Sequence, residues 1–285
     1  MIPGMIVFVL ALSALPLVIS TDFEGGPIHV SFGQAWEAVK HYFAGMAGGE
    51  TFRFHMGTNE FTFWERIGDY FRNSFLFVTA GALIGTTIGI LAGIWFVFAK
   101  AGWLKSLTDL AASLPDFVVV LMLQFAIVAI AKATGVVVFE VATLSQDDPA
   151  IVLPLVSMII FPANYMIRNV SMGLKLTLTE DYIGNAKARG LGKGYVVWFH
   201  ALPNVLPFVK GDLHKLMGII MGNLFVVEYL FNNNGITMLI FSNAFEYGYQ
   251  YNVVVNGLLA MLVLYAIGYG LLRAFLFGLG KVFVR

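Results

Sequence analysis

The sequence predicts an all-α integral membrane protein of about six transmembrane helices. Three observations carry that reading. Of the 285 residues, 59% are hydrophobic and only 12% are charged. The apolar residues gather into runs of membrane-spanning length, and Lys and Arg are sparse in alternate connections between those runs. Soluble domains carry about 25% charged residues, so the deficit assigns most of the surface to lipid or to other membrane helices. A net charge of zero gives no bulk attraction to nucleic acid. Cysteine is absent, which excludes disulfides, thiolate chemistry and Cys-based metal sites.

A bilayer core takes about 20 apolar residues per helix. Candidate spans lie at 2–20, 74–98, 110–131, 151–174, 207–230 and 252–279. The first reads as a transmembrane helix rather than a cleaved signal, because no basic n-region accompanies it and further spans follow. Pro115 interrupts the third, and the fifth begins at Pro207. The connections after spans two and four hold Lys100, Lys105, Lys175, Lys187, Arg189 and Lys193, and the C-terminal end holds Arg273, Lys281 and Arg285. The other connections are acidic: Asp22, Glu24, Glu37, Glu50, Glu60, Glu65, Asp69, Glu140, Asp147, Asp148 and Glu246 outnumber Lys40, Arg53, Arg66, Arg72 and Lys132. An excess of Lys and Arg marks the cytoplasmic side. Both termini and the 175–206 connection are therefore expected in the cytoplasm, and 21–73 outside. The chain divides accordingly into a first helix (1–20), an extracytoplasmic loop (21–73) and a five-helix core (74–285).

Within the outer loop, Ser31-Phe32-Gly33-Gln34 and Thr62-Phe63-Trp64-Glu65 have capping-box spacing. Phe32, Trp36, Val39 and Phe43 follow on one helical face, and Ile67 and Phe71 on another. Both segments read as amphipathic helices at the interface. An aromatic face at helical spacing usually packs, which favours a plug over the bundle; a docking surface for an extracytoplasmic protein is the alternative. Span two carries Gly81, Gly85, Gly89 and Gly93, a stripe that lets another helix approach closely, within this chain or across a subunit interface. Pro115-Asp116 fits a helix start, with a substrate or proton site as the sharper alternative for Asp116. Glu228, near the outer end of span five, either lines a pathway or reaches interfacial water.

No G-x-x-x-x-G-K-[ST] motif occurs, so the chain has no P-loop for a nucleotide. No G-x-S-x-G or H-E-x-x-H motif is present either. His29, His41 and His55 are spaced too widely for one helix face, and no metal site is expected there.

The polar, basic segment 180–204 stands out in this apolar chain. Glu180 and Asp181 open a short helix that Lys187 and Arg189 close, a charge order that complements the helix dipole. Gly190 is placed as a C-terminal stop. Ala186 and Gly190 lie four apart and are expected to share a small-residue face that seats in a partner's groove. A second helix is expected over Tyr195–Leu202, with Pro203 and Pro207 marking the start of span five. An ordinary solvated loop is the alternative.

This segment resembles the EAA coupling loop of ABC importer permeases, in particular the oligopeptide/dipeptide/nickel branch. The matching residues are Asp181-Tyr182, Ala186-x-Ala188-x-Gly190, Gly190-Leu191, His200-Ala201-Leu202-x-Asn204, and Leu202-Pro203 twelve residues beyond the glycine. Elsewhere Ser113-x-Pro115-x-Phe117, Leu153-Pro154, Arg168 and Glu228-x-x-Phe231-x-x-x-Gly235 are similar to the family's spans three to five, over roughly residues 70–285. The chain departs from the general pattern at Gly184-Asn185, where Glu-Ala is usual, and at Ser171, Gly192 and Asn234.

The resemblance implies a permease subunit working by alternating access for peptides, nickel or metal chelates, in a bacterial or archaeal cytoplasmic membrane. It implies a second homologous permease, two cytoplasmic ABC ATPases that carry ATP and Mg, and an extracytoplasmic substrate-binding protein. This chain itself would hold no cofactor. It assigns ATPase coupling to Glu180, Asp181, Tyr182, Ala186, Lys187, Arg189, Gly190 and Leu191. Asn164, Tyr165, Arg168, Asn223 and Glu228 are candidates for the pathway, although polar groups also join helices in membranes. An ion-coupled secondary transporter would instead show paired midplane charges and two repeated halves. A membrane assembly factor would share the topology.

Overall fold

A computed structural model describes residues 2–21, 28–99, 102–145 and 149–283. Asp22, Glu24, Lys100, Asp147, Asp148 and Arg285, which enter the charge pattern, lie outside the described residues. In chain order the helices are α1 (Ile2–Val18), α2 (Phe32–Ala44), α3 (Phe63–Phe98), α4 (Gly102–Ser113), α5 (Asp116–Thr134), α6 (Val152–Thr177), α7 (Asp181–Ala188), α8 (Lys193–Val196), α9 (Leu202–Gly211), α10 (Leu213–Leu230), α11 (Ile236–Tyr247) and α12 (Tyr251–Phe283). A π-helical segment, Val197–Ala201, joins α8 to α9. Two short antiparallel hairpins, β1 (Ile19–Thr21) with β2 (Ile28–Val30) and β3 (Arg53–Met56) with β4 (Asn59–Thr62), were not anticipated from the sequence.

Helices α3, α5, α10 and α12 are long and apolar enough to cross a membrane, and α1 is apolar but shorter. Helix α6 has the length, but Asn164, Tyr165, Arg168 and Asn169 lower its hydropathy. These six helices lie at the six predicted spans, and the four long apolar ones make the chain a multi-pass membrane protein. Their limits differ from expectation in three places. The boundary drawn at residue 73 falls inside α3, because no helix breaker separates the amphipathic start from the apolar run. The run 110–131 is two helices, with Pro115 in extended conformation as the N-cap of α5. Span five starts at Leu213, not Pro207: Pro203 and Pro207 lie inside α9, and the chain breaks at Asp212 instead. A proline removes one backbone donor, and the wider turn beside it lets the helix continue.

The chain forms two compact units, residues 1–74 with 234–264, and residues 75–233 with 265–285. In the first unit α2 packs on α1 through Ala35 and Tyr42, both buried with Val9, Leu10, Ala14 and Val255. The predicted aromatic face points the other way: Phe32, Trp36 and Phe43 are 74%, 60% and 53% exposed. Periodicity identified an apolar face, but beside a bilayer an aromatic face is solvated by lipid and need not pack. Ser31 makes no side-chain cap, whereas the Thr62 amide donates to Glu65 Oε2 at 3.0 Å, the reciprocal half of a capping box. A buried polar triangle ties the loop to α12. Tyr42 Oη donates to Asn256 Oδ1 (2.7 Å), Asn256 Nδ2 donates to the Thr51 carbonyl (2.9 Å), and Thr51 Oγ1 donates to the Tyr42 carbonyl (2.5 Å). Each buried polar group is thereby satisfied, as desolvated groups must be.

The second unit is organised around α6. The glycine stripe of α3 packs within the chain: Gly81, Gly85, Gly89 and Gly93 face Met158, Pro162, Met166 and Val170 of α6, a four-residue ridge meeting a four-residue groove. A Cβ at Gly81 would stand 2.9 Å from the Met158 carbonyl, and one at Gly85 2.8 Å from Pro162 Cγ, so only glycine admits this approach. On another side α6 meets α10, where Asn223 Nδ2 donates to the Ser157 carbonyl at 3.0 Å.

Candidate coupling helix and cavity

The 180–204 segment is built as a braced hairpin. Glu180 is the N-cap of α7, and its carbonyl accepts from the amides of Ile183 (3.0 Å) and Gly184 (3.3 Å). Asp181 stands in the first turn and Lys187 in the last. At the other end the Leu191 amide reaches the Ala186 carbonyl (3.3 Å) and the Gly190 amide the Lys187 carbonyl (2.9 Å). This is a Schellman closure, and it needs the left-handed backbone of Gly190, at φ 80°. Glu180, Asp181, Tyr182, Lys187, Arg189 and Gly190 are exposed, and Leu191 is half-buried.

Ala186 is not. It is buried with Ile183 against its own chain, and Gly190 lies beyond the helix end. The expected small-residue face is therefore corrected: the outward small residues of α7 are Gly184 and Ala188, also four apart. Sequence spacing alone could not tell which of two small-residue pairs faces inward; Ile183, three residues before Ala186, was the available signal.

Two contacts lead from α7 through α9 to α6. Asn204 Nδ2 of α9 donates to the Tyr182 hydroxyl (3.0 Å) and to the His200 carbonyl (2.7 Å). Burial and the Glu180 carboxylate raise the Tyr182 phenol above its ordinary range, against the opposing effect of the Asn204 hydrogen bond. Val205 of α9 then sits in a notch at Gly173 of α6, its Cγ1 2.9 Å from where a glycine Cβ would be. Lys193 adds a third brace, its Nζ 5.0 Å from the Phe98 ring centre at the end of α3.

The same α6 lines a cavity of about 940 Å³ formed with α4, α5 and α10. Asn164, Tyr165 and Arg168 lie on its wall, together with Asp109, Asp116, Asn169, Lys175 and Lys215. Arg168 faces Asp109 at 4.0 Å, both side chains about half exposed. Asp212 Oδ2 accepts from Tyr165 Oη (3.1 Å) and Asn169 Nδ2 (3.3 Å), and Lys215 Nζ stands 5.2 Å from the Tyr165 ring centre. Gly218 and Gly222 of α10 face the cavity with no atom near the place of a Cβ. Asn164 also donates to the Thr108 carbonyl at 3.1 Å, which ties α6 to α4.

Asn223 and Glu228 are not on this wall. Both are fully buried on α10, Asn223 bonded to α6 as described. For Asn223 the interhelical reading describes its place. Asp109, Asn169 and Lys215 were missed by sequence reading. Asn169 had a signal: Asn164, Tyr165, Arg168, Asn169 and Lys175 form one polar stripe at helical spacing on an otherwise apolar helix.

Residues 85–285 match the family of binding-protein-dependent transport system inner membrane components. The chain belongs to that family. Among similar proteins, the dipeptide transport system permease protein DppB of Bacillus subtilis is 28% identical over 204 residues, 67% of this chain and 63% of that protein. The metal-staphylopine import system permease protein CntB of Staphylococcus aureus is 24% identical over 197 residues, 67% of this chain and 61% of that protein. The nickel import system permease protein NikB of Staphylococcus aureus is 26% identical over 172 residues, 59% of this chain and 48% of that protein. The matched part thus spans between about half and two thirds of these relatives. The family match covers the glycine stripe from Gly85 onward, the α7 hairpin and the cavity wall of this inner membrane component.

Proposed function

We propose that this chain is the permease subunit of an ATP-driven importer, that α7 receives the motion of partner ATPases, and that the α6 cavity is its half of the translocation pathway. The observation that carries the reading is the continuous physical link from α7 through Tyr182–Asn204 and Val205–Gly173 to the helix that lines the cavity. Such a link lets a push on α7 bias which of two packings α6 adopts, and ATP binding on a partner supplies the differential free energy that a population shift requires. The Lys/Arg pattern supports placing α7 and both termini in the cytoplasm. A second permease would supply the other wall, and an extracytoplasmic binding protein would deliver the cargo.

The cavity supports a peptide-sized or chelate cargo. Its carboxylates (Asp109, Asp116) and cations (Arg168, Lys175, Lys215) line the same cavity, a mixed-charge lining suited to ligands that carry both signs. The relatives' names point to the same two classes, dipeptides and metal chelates. Half-exposed charges such as Asp109 and Arg168 are solvated rather than sequestered, which fits passage of a polar ligand better than a buried proton relay.

The test is uptake of labelled dipeptide and of nickel chelate by proteoliposomes holding the assembled complex. Wild type accumulates one of them only with ATP. Gly222→Trp, which fills the cavity at an open position, abolishes uptake while the complex still assembles. Undiminished uptake by Gly222→Trp would place the pathway elsewhere.

A further inference from the structure

We infer that a second, separate pocket on this chain binds the headgroup of an anionic phospholipid. The pocket, about 620 Å³, lies between the α9–α10 junction and α12 and is lined by Lys210, Tyr269, Arg273 and Phe277. Lys210 Nζ is 5.7 Å from the Phe277 ring centre, and Lys281 Nζ comes over the same ring at 4.8 Å. Lys210 also reaches the α12 backbone, its Nζ 2.9 Å from where a Cβ of Gly280 would stand. Two cations thus converge on one exposed aromatic ring, and Arg273 lines the same pocket. Among the described residues none of them forms an ion pair, and the nearest acid in sequence, Asp212, is engaged with Tyr165 and Asn169.

Gathering like charges raises the free energy unless an anion lies among them. The rest of the pocket says what kind of anion. Phe277 is 57% exposed on the pocket wall, so apolar surface adjoins the charges. A phosphodiester with acyl chains meets both demands; a soluble anion meets only the first. Basic pockets between membrane helices at the positive-inside face recruit anionic lipid in this way. The site would pin the chain break at Gly211–Asp212, where α9 hands over to α10, against α12.

Native mass spectrometry of the full chain in its complex tests this, with equimolar phosphatidylglycerol and phosphatidylcholine in the detergent. Wild type retains phosphatidylglycerol preferentially, and its retention falls with added salt. The triple variant Lys210→Gln/Arg273→Gln/Lys281→Gln lowers that retention about 100-fold, on the scale of three interfacial bases. Lys210→Arg/Lys281→Arg keeps it, and so does Lys40→Gln/Lys132→Gln, at exposed bases elsewhere on the chain. Equal retention of the two lipids by wild type, or unchanged retention in the triple variant, overturns the inference. So does displacement by millimolar inorganic phosphate, which assigns the pocket to a soluble anion, or loss of lipid on assembly, which assigns it to a protein partner. Should the triple variant not fold, wild-type lipid preference and its salt dependence still decide.

Discussion

At the residue scale, the hydrogen bond between Asn204 and Tyr182 ties α7 to α9. A neutral hydrogen bond contributes about 1 kcal/mol net, so Tyr182→Phe should weaken this tie about fivefold without unfolding the chain. The expected outcome is fewer substrate molecules moved per ATP by an intact complex, read as the ratio of uptake to phosphate release. An unchanged ratio would mean that the link runs elsewhere. Tyr249 offers a separate test in the other unit. Burial, with Tyr251 beside it, pushes its phenol up from 10.0 to about 12, and its hydroxyl donates to the Ser13 carbonyl. A folded-state pKa raised in this way contributes stability that is complete below pH about 10 and lost as pH rises through about 12. Protection of α1 amides, taken relative to the base-catalysed intrinsic rate, should therefore fall in that window, and Tyr249→Phe should lessen that fall while lowering protection at neutral pH. The residue scale is also where sequence reading went astray. Ala186 and Gly190 matched a known pattern, and the pattern says which residues recur, not which side of α7 they occupy. Only the burial of Ile183 and Ala186 resolves that.

At the element scale, the four-residue glycine repeat of α3 was legible because its physical demand is strict: one residue type at one spacing. Its partner was not legible, since Met158, Pro162, Met166 and Val170 look like any apolar helix face. The contrast between buried and open glycines is testable. Gly89→Leu should prevent a folded, monodisperse protein, because its Cβ already overlaps Met166 and the Ala163 carbonyl. Gly184→Leu, on the exposed side of α7 with nothing near it, should fold normally and act only on coupling. Size-exclusion behaviour in detergent checks both; equal behaviour would contradict the packing. Element limits were the least legible part. Prolines at 203 and 207 suggested a helix start, yet both lie inside α9 and the break falls at Gly211–Asp212. The strand pairs 19–21 with 28–30 and 53–56 with 59–62 escaped notice because each strand is only three or four residues long, too short for alternation to register.

At the scale of the whole molecule, composition and charge pattern were enough to read an all-helical membrane protein, since the bilayer forces backbone hydrogen bonds into helices. The cavity was only half legible. Arg168 and its neighbours stood out as polar residues in an apolar helix, but Asp109 and Lys215 come from other helices and meet them only through tertiary packing. The central claim is that α7 presents its Gly184–Ala188 side, and not Ala186, to a partner ATPase. The cysteine-free chain makes a direct measurement possible. Single variants Ala188→Cys and Ala186→Cys are treated with a membrane-impermeant maleimide, with and without the assembled P-loop ATPase. The account predicts that Ala188→Cys labels readily alone and is protected in the complex, while Ala186→Cys resists labelling in both. Free labelling of Ala188→Cys within a transport-competent complex, or protection confined to Ala186→Cys, would contradict it.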